Sequence, residues 1–282
     1  MEYKTYLCNG LSVKIASDLV TNVRLLQGSY GPISKLISNE GQVKAITNCS
    51  YFTSGYVLGR NQGDMSQDTS SYSSQNYLGV AIKSDGSYVA GELEFWDGTE
   101  NIIAGFTPAA ITYLYGQYTE LFSSALGYKA YSNKLALKTG VTMFGILSDK
   151  KTALLITAVS GISGYDLITF LTNNLGYNFD LLCSLDGGGS TEMIVNKTIV
   201  QASTDAGTNE RKMYNGLAII TPTPKVDEII DKKSSKPFLE RLTWEGMTDS
   251  YAVKTTSPIT TGSKYYYDIL EATLTHFGKE FH

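Results

Sequence analysis

Three times along this chain two short apolar runs flank a polar turn. Residues 77–82 and 87–90 enclose Lys83-Ser84-Asp85-Gly86. Residues 141–147 and 153–159 enclose Ser148-Asp149-Lys150-Lys151. Residues 193–195 and 199–201 enclose Asn196-Lys197. Runs this short fit strands better than helices, and Asp-Gly or Asn at the turn favours chain reversal. The pattern predicts three β-hairpins. Alternation adds further strands. Leu11, Val13 and Ile15 share a face against Ser12 and Lys14, Val23 and Leu25 flank Arg24, and 43–46, 181–185 and 217–220 are short buried-type runs. Residues 33–38 suit a single helical turn. One clear helix is predicted over 163–176: Leu167, Phe170, Leu171 and Leu175 share a face, Ser163 suits the N-cap and Gly176 the stop. The expected fold class is α+β, with mixed or antiparallel sheets built from hairpins and packed helices.

The length of 282 residues allows one large domain plus a smaller piece. Thr221-Pro222-Thr223-Pro224 marks the expected boundary. Residues 1–221 are read as the main domain. Residues 222–282 are read as a C-terminal extension for interaction or oligomerisation, with completion of the core as the competing reading. Residues 59–76 are polar with almost no aliphatic side chains and predict a long loop. The aromatic stretch 106–137 has no clean period and predicts insertions or meander strands.

Charge excludes several function classes. The net charge of −4 argues against nucleic-acid backbone binding. No apolar run is long enough to span a membrane, and residues 1–10 lack signal-peptide character, so the expected location is cytoplasmic or virion-associated. Tyrosine is abundant, at 20 residues, and charged residues are only 18%; such a surface suits stacking on sugars, and equally an ordinary β-rich protein. The only histidines, His276 and His282, sit near the C-terminus, which disfavours zinc catalysis and a Ser-His-Asp triad. Cys8, Cys49 and Cys183 have no metal-ligand spacing, and Cys183 reads as a small buried hydrophobe. No cofactor is expected. A divalent cation held by Asp and carbonyl oxygens is the alternative, although no loop shows the spacing of a cation site.

The sharpest local feature is Asp186-Gly187-Gly188-Gly189-Ser190-Thr191 at the carboxyl end of a buried strand. Three glycines clear side chains from the backbone, so a ligand can approach N–H groups that together suit an anion. Asp186 adds a carboxylate, and Ser190 and Thr191 add hydroxyls. The bland alternative is a tight connection that needs a positive φ. The run is not a nucleotide-binding loop, because no lysine follows, and it lacks the Gly-x-Ser-x-Gly of a nucleophile elbow. Glu192 alternates with Met193 and points either to this site or to solvent.

The run Leu185-Asp-Gly-Gly-Gly-Ser-Thr, a hairpin, Glu210-Arg211, then Asn215-Gly-Leu-Ala-Ile-Ile resembles the C-terminal half of the phosphodiester glycosidase family. Upstream, Ala45-Ile46-Thr47-Asn48-Cys49-Ser50-Tyr51-Phe52 resembles that family's Ala-Ile-Asn-Gly-Gly-Tyr-Phe block. The resemblance spans roughly residues 5–221. Two departures are Cys49-Ser50 in place of Gly-Gly and Val141 in place of an Arg. Arg60 is a candidate to replace that Arg.

The resemblance implies a glycosidase, a hydrolase that cleaves a sugar-1-phosphodiester at the anomeric carbon and releases sugar, such as N-acetylglucosamine, and a phosphomonoester. It implies Asp186 and Glu210 as catalytic carboxylates. Substrate and phosphate would be held by Asn48, Gly187, Gly188, Gly189, Ser190, Thr191, Arg211 and Asn215. The chemistry agrees: a phosphomonoester leaves more readily than an ordinary alcohol, so holding the anion matters more than general-acid help. The alternative function is a non-catalytic glycan-binding or structural module of a phage tail or cell-surface assembly. The implied partner is a glycosyl phosphate or a surface glycan, with homo-oligomerisation left open. Taken alone, Glu210-Arg211 reads as a surface ion pair, Asn48 as a turn residue and Ser190 as a cap on the glycine turn.

Overall fold

The computed structural model describes residues 1–38, 42–50, 59–61, 64–65, 77–93, 101–123, 133–204 and 210–221. In chain order the strands are β1 (Glu2–Cys8), β2 (Leu11–Leu19), β3 (Val23–Pro32), β4 (Val43–Asn48), β5 (Gly59–Asn61), β6 (Asp64–Met65), β7 (Tyr77–Lys83), β8 (Tyr88–Leu93) and β9 (Ile102–Phe106). They continue with β10 (Ala110–Leu114), β11 (Gln117–Phe122), β12 (Val141–Leu147), β13 (Thr152–Ala158), β14 (Phe179–Ser184), β15 (Met193–Val195), β16 (Thr198–Gln201) and β17 (Lys212–Ile220). Short helices accompany them among the described residues, including α1 (Ser34–Ser38) and α2 (Gly164–Thr169).

The strands form three sheets. The first has seven strands in the order β1-β2-β13-β12-β14-β10-β11, the second runs β16-β15-β4-β17-β3, and the third runs β6-β5-β9-β7-β8. The inner faces of all three meet in one core. Phe144, Leu155 and Leu181 come from the first sheet, Leu25, Ala45 and Leu217 from the second, and Val80, Ala104 and Phe106 from the third. The outer face of the first sheet packs under α2 through Met143, Ile156, Leu167 and Leu171. The outer face of the second packs under α1 through Ile33, Leu36, Ile46 and Met213. Central strands covered on both sides become continuous apolar runs rather than alternating ones. β14 is buried at every position for this reason.

The fold class is therefore antiparallel β, not α+β. Every strand pair among the described residues is antiparallel. The helices are short: α1 has five residues, and the six of α2 run on into a π-turn over Phe170–Asn174. The 3.6-residue period over 167–175 is real, but it marks a single short helix lying on a sheet that dominates the core. The cap is as expected: the Ser163 hydroxyl accepts from the Asp166 N–H, and the Asp166 carboxylate reaches back to the Ser163 N–H. Gly176 ends the segment at a φ of 70°.

The three predicted hairpins are β7–β8, β12–β13 and β15–β16. Within 106–137 the structure places the β10–β11 hairpin. β17 begins at Lys212, earlier than the predicted 217–220, because a bulge between Met213 and Asn215 lets both arms pair with β3. β1 was not anticipated. It is an edge strand whose side chains are mostly exposed, so it carries no apolar stripe to read. Cys8, Cys49 and Cys183 are free thiols, all buried. No helix among the described residues is long and apolar enough to cross a membrane. Residues 222–282, Tyr51, Phe52, most of 59–76 and the side chain of Arg60 lie outside the described residues.

Candidate active site

β14 delivers Asp186 from the middle of the first sheet, and β4 and β17 bring Asn48 and Arg211 from the second. The glycine run between them is a tight 3-10 turn over Gly188–Ser190. Its glycines have steric work to do. Gly188 has a φ of 65°, which favours glycine. A Cβ on Gly140 would lie 2.6 Å from the Gly188 carbonyl oxygen and 2.8 Å from the Thr191 side chain. The turn therefore seats directly on the start of β12, and the Gly188 N–H donates to the Gly140 carbonyl at 2.6 Å. The Gly187 N–H favours the ionised Asp186 carboxylate. One of the three amides expected to face an anion, that of Gly188, is thus engaged inside the protein.

The surrounding side chains form a chain of hydrogen bonds beside Asp186. Asn48 Nδ2 donates to the Asp186 carbonyl at 2.5 Å. Asn48 Oδ1 accepts from the Glu192 N–H at 3.1 Å and from the Thr142 hydroxyl at 2.8 Å. Glu192 Oε2 accepts from the Arg211 N–H at 3.1 Å. Arg211 Nη1 donates to Ser190 Oγ at 2.5 Å, and Ser190 in turn favours the ionised Asp186 carboxylate. Asn215 Oδ1 accepts from the Ser50 N–H at 3.1 Å just outside this chain of bonds.

Electrostatics set two carboxyls apart from ordinary ones. Asp186 is 7% exposed, and burial pushes its carboxyl up, opposed by the Ser190 hydrogen bond and by the positive charges of Arg211 and Lys134. Glu192 is 1% exposed, and burial pushes it up to about 8, with the Arg211 N–H and guanidinium opposing and Glu210 reinforcing. Glu192 Oε1 has no hydrogen-bond partner among the described residues. The same holds for Thr191 Oγ1, Ser184 Oγ and Asn215 Nδ2.

Glu210 turns toward α1. Its Oε1 accepts from the Ser34 N–H at 2.9 Å and its Oε2 from the Ser34 hydroxyl at 3.0 Å, so the carboxylate ties down the start of α1. The structure thus brings Asp186, Ser190, Arg211 and Asn48 together and places the Glu210 carboxylate on α1. Thr191 packs against Gly140.

A cleft of ≈ 180 Å³ opens beside the glycine turn, over the ends of β10, β12 and β14. Lys134, Leu135, Gly140, Ser184 and Gly187 are among its walls. Lys134 both lines this cleft and acts on the Asp186 charge. Sequence reasoning missed Lys134, because an isolated lysine in an aperiodic stretch gives no signal. Among the described residues no cluster of three or more His, Cys, Asp or Glu is arranged to hold a metal ion.

Comparison with known proteins gives a fold-level relationship. No family model matches the sequence, and no curated protein matches it. Among solved structures, the catalytic domain of zebrafish N-acetylglucosamine-1-phosphodiester alpha-N-acetylglucosaminidase, auto-inhibited by its pro-peptide, superposes with a TM-score of 0.62 at 14% identity. That match covers 78% of this chain and 82% of the zebrafish chain. A hypothetical protein from Synechocystis superposes with a TM-score of 0.54 at 9% identity, covering 78% of this chain and 61% of that one. At these identities the likeness establishes a shared fold, a distant structural relationship to a glycosidase domain.

Proposed function

We propose that this protein is a hydrolase that cleaves a sugar-1-phosphodiester at the anomeric carbon, releasing sugar and a phosphomonoester. The observation that carries the reading is the Asp186–Ser190–Arg211 cluster: Ser190 takes a guanidinium hydrogen bond and favours the ionised form of a buried carboxylate, and the glycine turn joining Asp186 to Ser190 lines a neighbouring cleft through Gly187 and Gly188. The fold shared with a phosphodiester alpha-N-acetylglucosaminidase supports it.

The residues divide the work as follows. Arg211 and Lys134 supply positive charge for the phosphate, with Arg suited to a forked contact. Asp186 acts toward the anomeric carbon, as nucleophile or as base for the attacking water. Ser190, the Gly187 N–H and the charges of Arg211 and Lys134 favour the ionised form that either role requires. Asn48 fixes the Asp186 backbone against β4. The sugar ring occupies the cleft, whose ≈ 180 Å³ suits one six-membered ring, given that a cavity of about 150 Å³ accepts benzene. The phosphomonoester departs without a strong general acid, which agrees with Glu210 being committed to Ser34.

The test is release of free sugar from a panel of N-acetylglucosamine 1-phosphate esters, nucleotide sugars and phosphate-linked cell-wall glycans. Asp186→Asn is expected to lower turnover by on the order of 10³-fold while remaining folded. Turnover that survives in the folded Asp186→Asn variant refutes the assignment. Glycan binding without turnover by the wild type across the panel replaces it with a binding module.

A further inference from the structure

Glu192 is the one buried carboxyl of this neighbourhood that the reaction above does not use. It begins the turn into β15, and its side chain shares a face with Ile194, which packs on α1. Its backbone and its side chain hold two ends of one hydrogen-bonded chain. The N–H reaches the Asp186 carbonyl through Asn48, and Oε2 holds Arg211, whose guanidinium reaches Ser190. Its second oxygen, Oε1, is buried and unpartnered among the described residues. A purely structural glutamate would have both oxygens engaged, as Glu210 does.

We propose that Glu192 is a positioning residue for Arg211: neutral, it anchors the Arg211 backbone and leaves the guanidinium on Ser190; ionised, it draws the guanidinium away from Ser190 and from a bound phosphate. The reason is relative strength. A guanidinium bound to an ionised carboxylate gains the attraction of opposite charges and a forked geometry that a neutral hydroxyl cannot offer, so a charged Glu192 outcompetes Ser190. The proton passes to solvent and no covalent bond changes. The charged groups acting on Glu192 are Arg211 and Glu210. Lys35 on α1, Lys44 on β4 and Lys212 on β17 are exposed. Burial holds the proton on Glu192 up to about pH 8, so the clamp is formed at neutral pH and opens above it. The consequence for catalysis rests on the proposed function; the motion of Arg211 does not.

The full chain is compared as wild type, Glu192→Gln and Glu192→Ala. One readout is the guanidinium ¹³Cζ–¹⁵Nε resonance of Arg211, assigned with Arg211→Lys and followed from about pH 6.5 to about pH 9.5 without ligand. The other is calorimetric affinity for glucose 1-phosphate over the same range. In the wild type the resonance is expected to move with one inflection near pH 8, and affinity to fall roughly tenfold across it. Glu192→Gln, which keeps an acceptor for the Arg211 N–H, is expected to give flat curves and wild-type affinity at pH 7. Glu192→Ala is expected to bind more weakly already at pH 7. Superimposable resonance curves for wild type and Glu192→Gln overturn the proposal, as does wild-type affinity in Glu192→Ala. If glucose 1-phosphate does not bind, the resonance alone decides. A titrating resonance in a protein that turns over no glycosyl phosphodiester refutes the activity and leaves this inference standing.

Discussion

Replacing Glu192 by Gln should change how stability depends on pH, by an amount that follows from burial. The Glu192 carboxyl is pushed up from 4.5 to about 8 in the folded chain, chiefly by loss of water. Below about pH 4.5 both folded and unfolded chains carry the proton, and the group contributes no difference. Between there and about pH 8 the unfolded chain gives up a proton that the folded chain keeps. The wild type therefore loses about 1.4 kcal/mol of stability per pH unit, and the loss levels off near 5 kcal/mol above pH 8. Glutamine has no such titration. Urea unfolding followed by far-UV circular dichroism at pH 4.5, 6.5 and 8.5 measures the difference between the two proteins. Asp186, whose carboxyl is also raised by burial, is common to both and cancels. The stability of Glu192→Gln relative to wild type should climb with pH by about 5 kcal/mol. With a urea slope of about 3 kcal/mol per M, that is a midpoint shift of more than about 1 M. A difference that stays constant across the range would show that Glu192 is ionised in the folded protein, and the reasoning from its burial would fail.

Other perturbations test other parts of the site. Asn48→Ala strands the Glu192 N–H and the Thr142 hydroxyl, both buried, and should cost about 3 kcal/mol in urea unfolding. Gly140→Ala drives a methyl into the Gly188 carbonyl and the Thr191 side chain, and should cost about 1–3 kcal/mol while lowering turnover, because the turn carrying Ser190 is displaced. Arg211→Ala should lower kcat/KM for a glycosyl phosphodiester by about 10²-fold, with Arg211→Lys recovering only part of it. Glu210→Gln should destabilise by about 1 kcal/mol through α1 and leave turnover near wild type; a loss of about 10³-fold would return Glu210 to the catalytic pair.

What the sequence reveals here divides along a physical line. Hairpins are legible because their cause is local: Asp85-Gly86 and Asn196-Lys197 lie between apolar runs, and neighbours in sequence become neighbours in the sheet. The cap at Ser163 is legible for the same reason. The balance of helix against sheet is less so, since the period over 167–175 says that a helix exists but not that it only lids one face of a seven-stranded sheet. In the site, Asp186 and Ser190 are found together because three glycines join them. The partner that fixes Asp186 from behind, Asn48, lies 138 positions away, and the contact exists only because β4 and β15 pair. Glu210 and Glu192 show the limit most directly. Two glutamates flank Arg211 in space, one next to it in sequence and one 19 residues before it. The adjacent one turns to α1, where Ser34 offers two donors. The distant one takes the Arg211 N–H, because β15 carries it into the second sheet and leaves it no water. Sequence proximity favours Glu210, whereas the chemistry of a buried, half-satisfied carboxyl favours Glu192, and only the register of the second sheet decides between them.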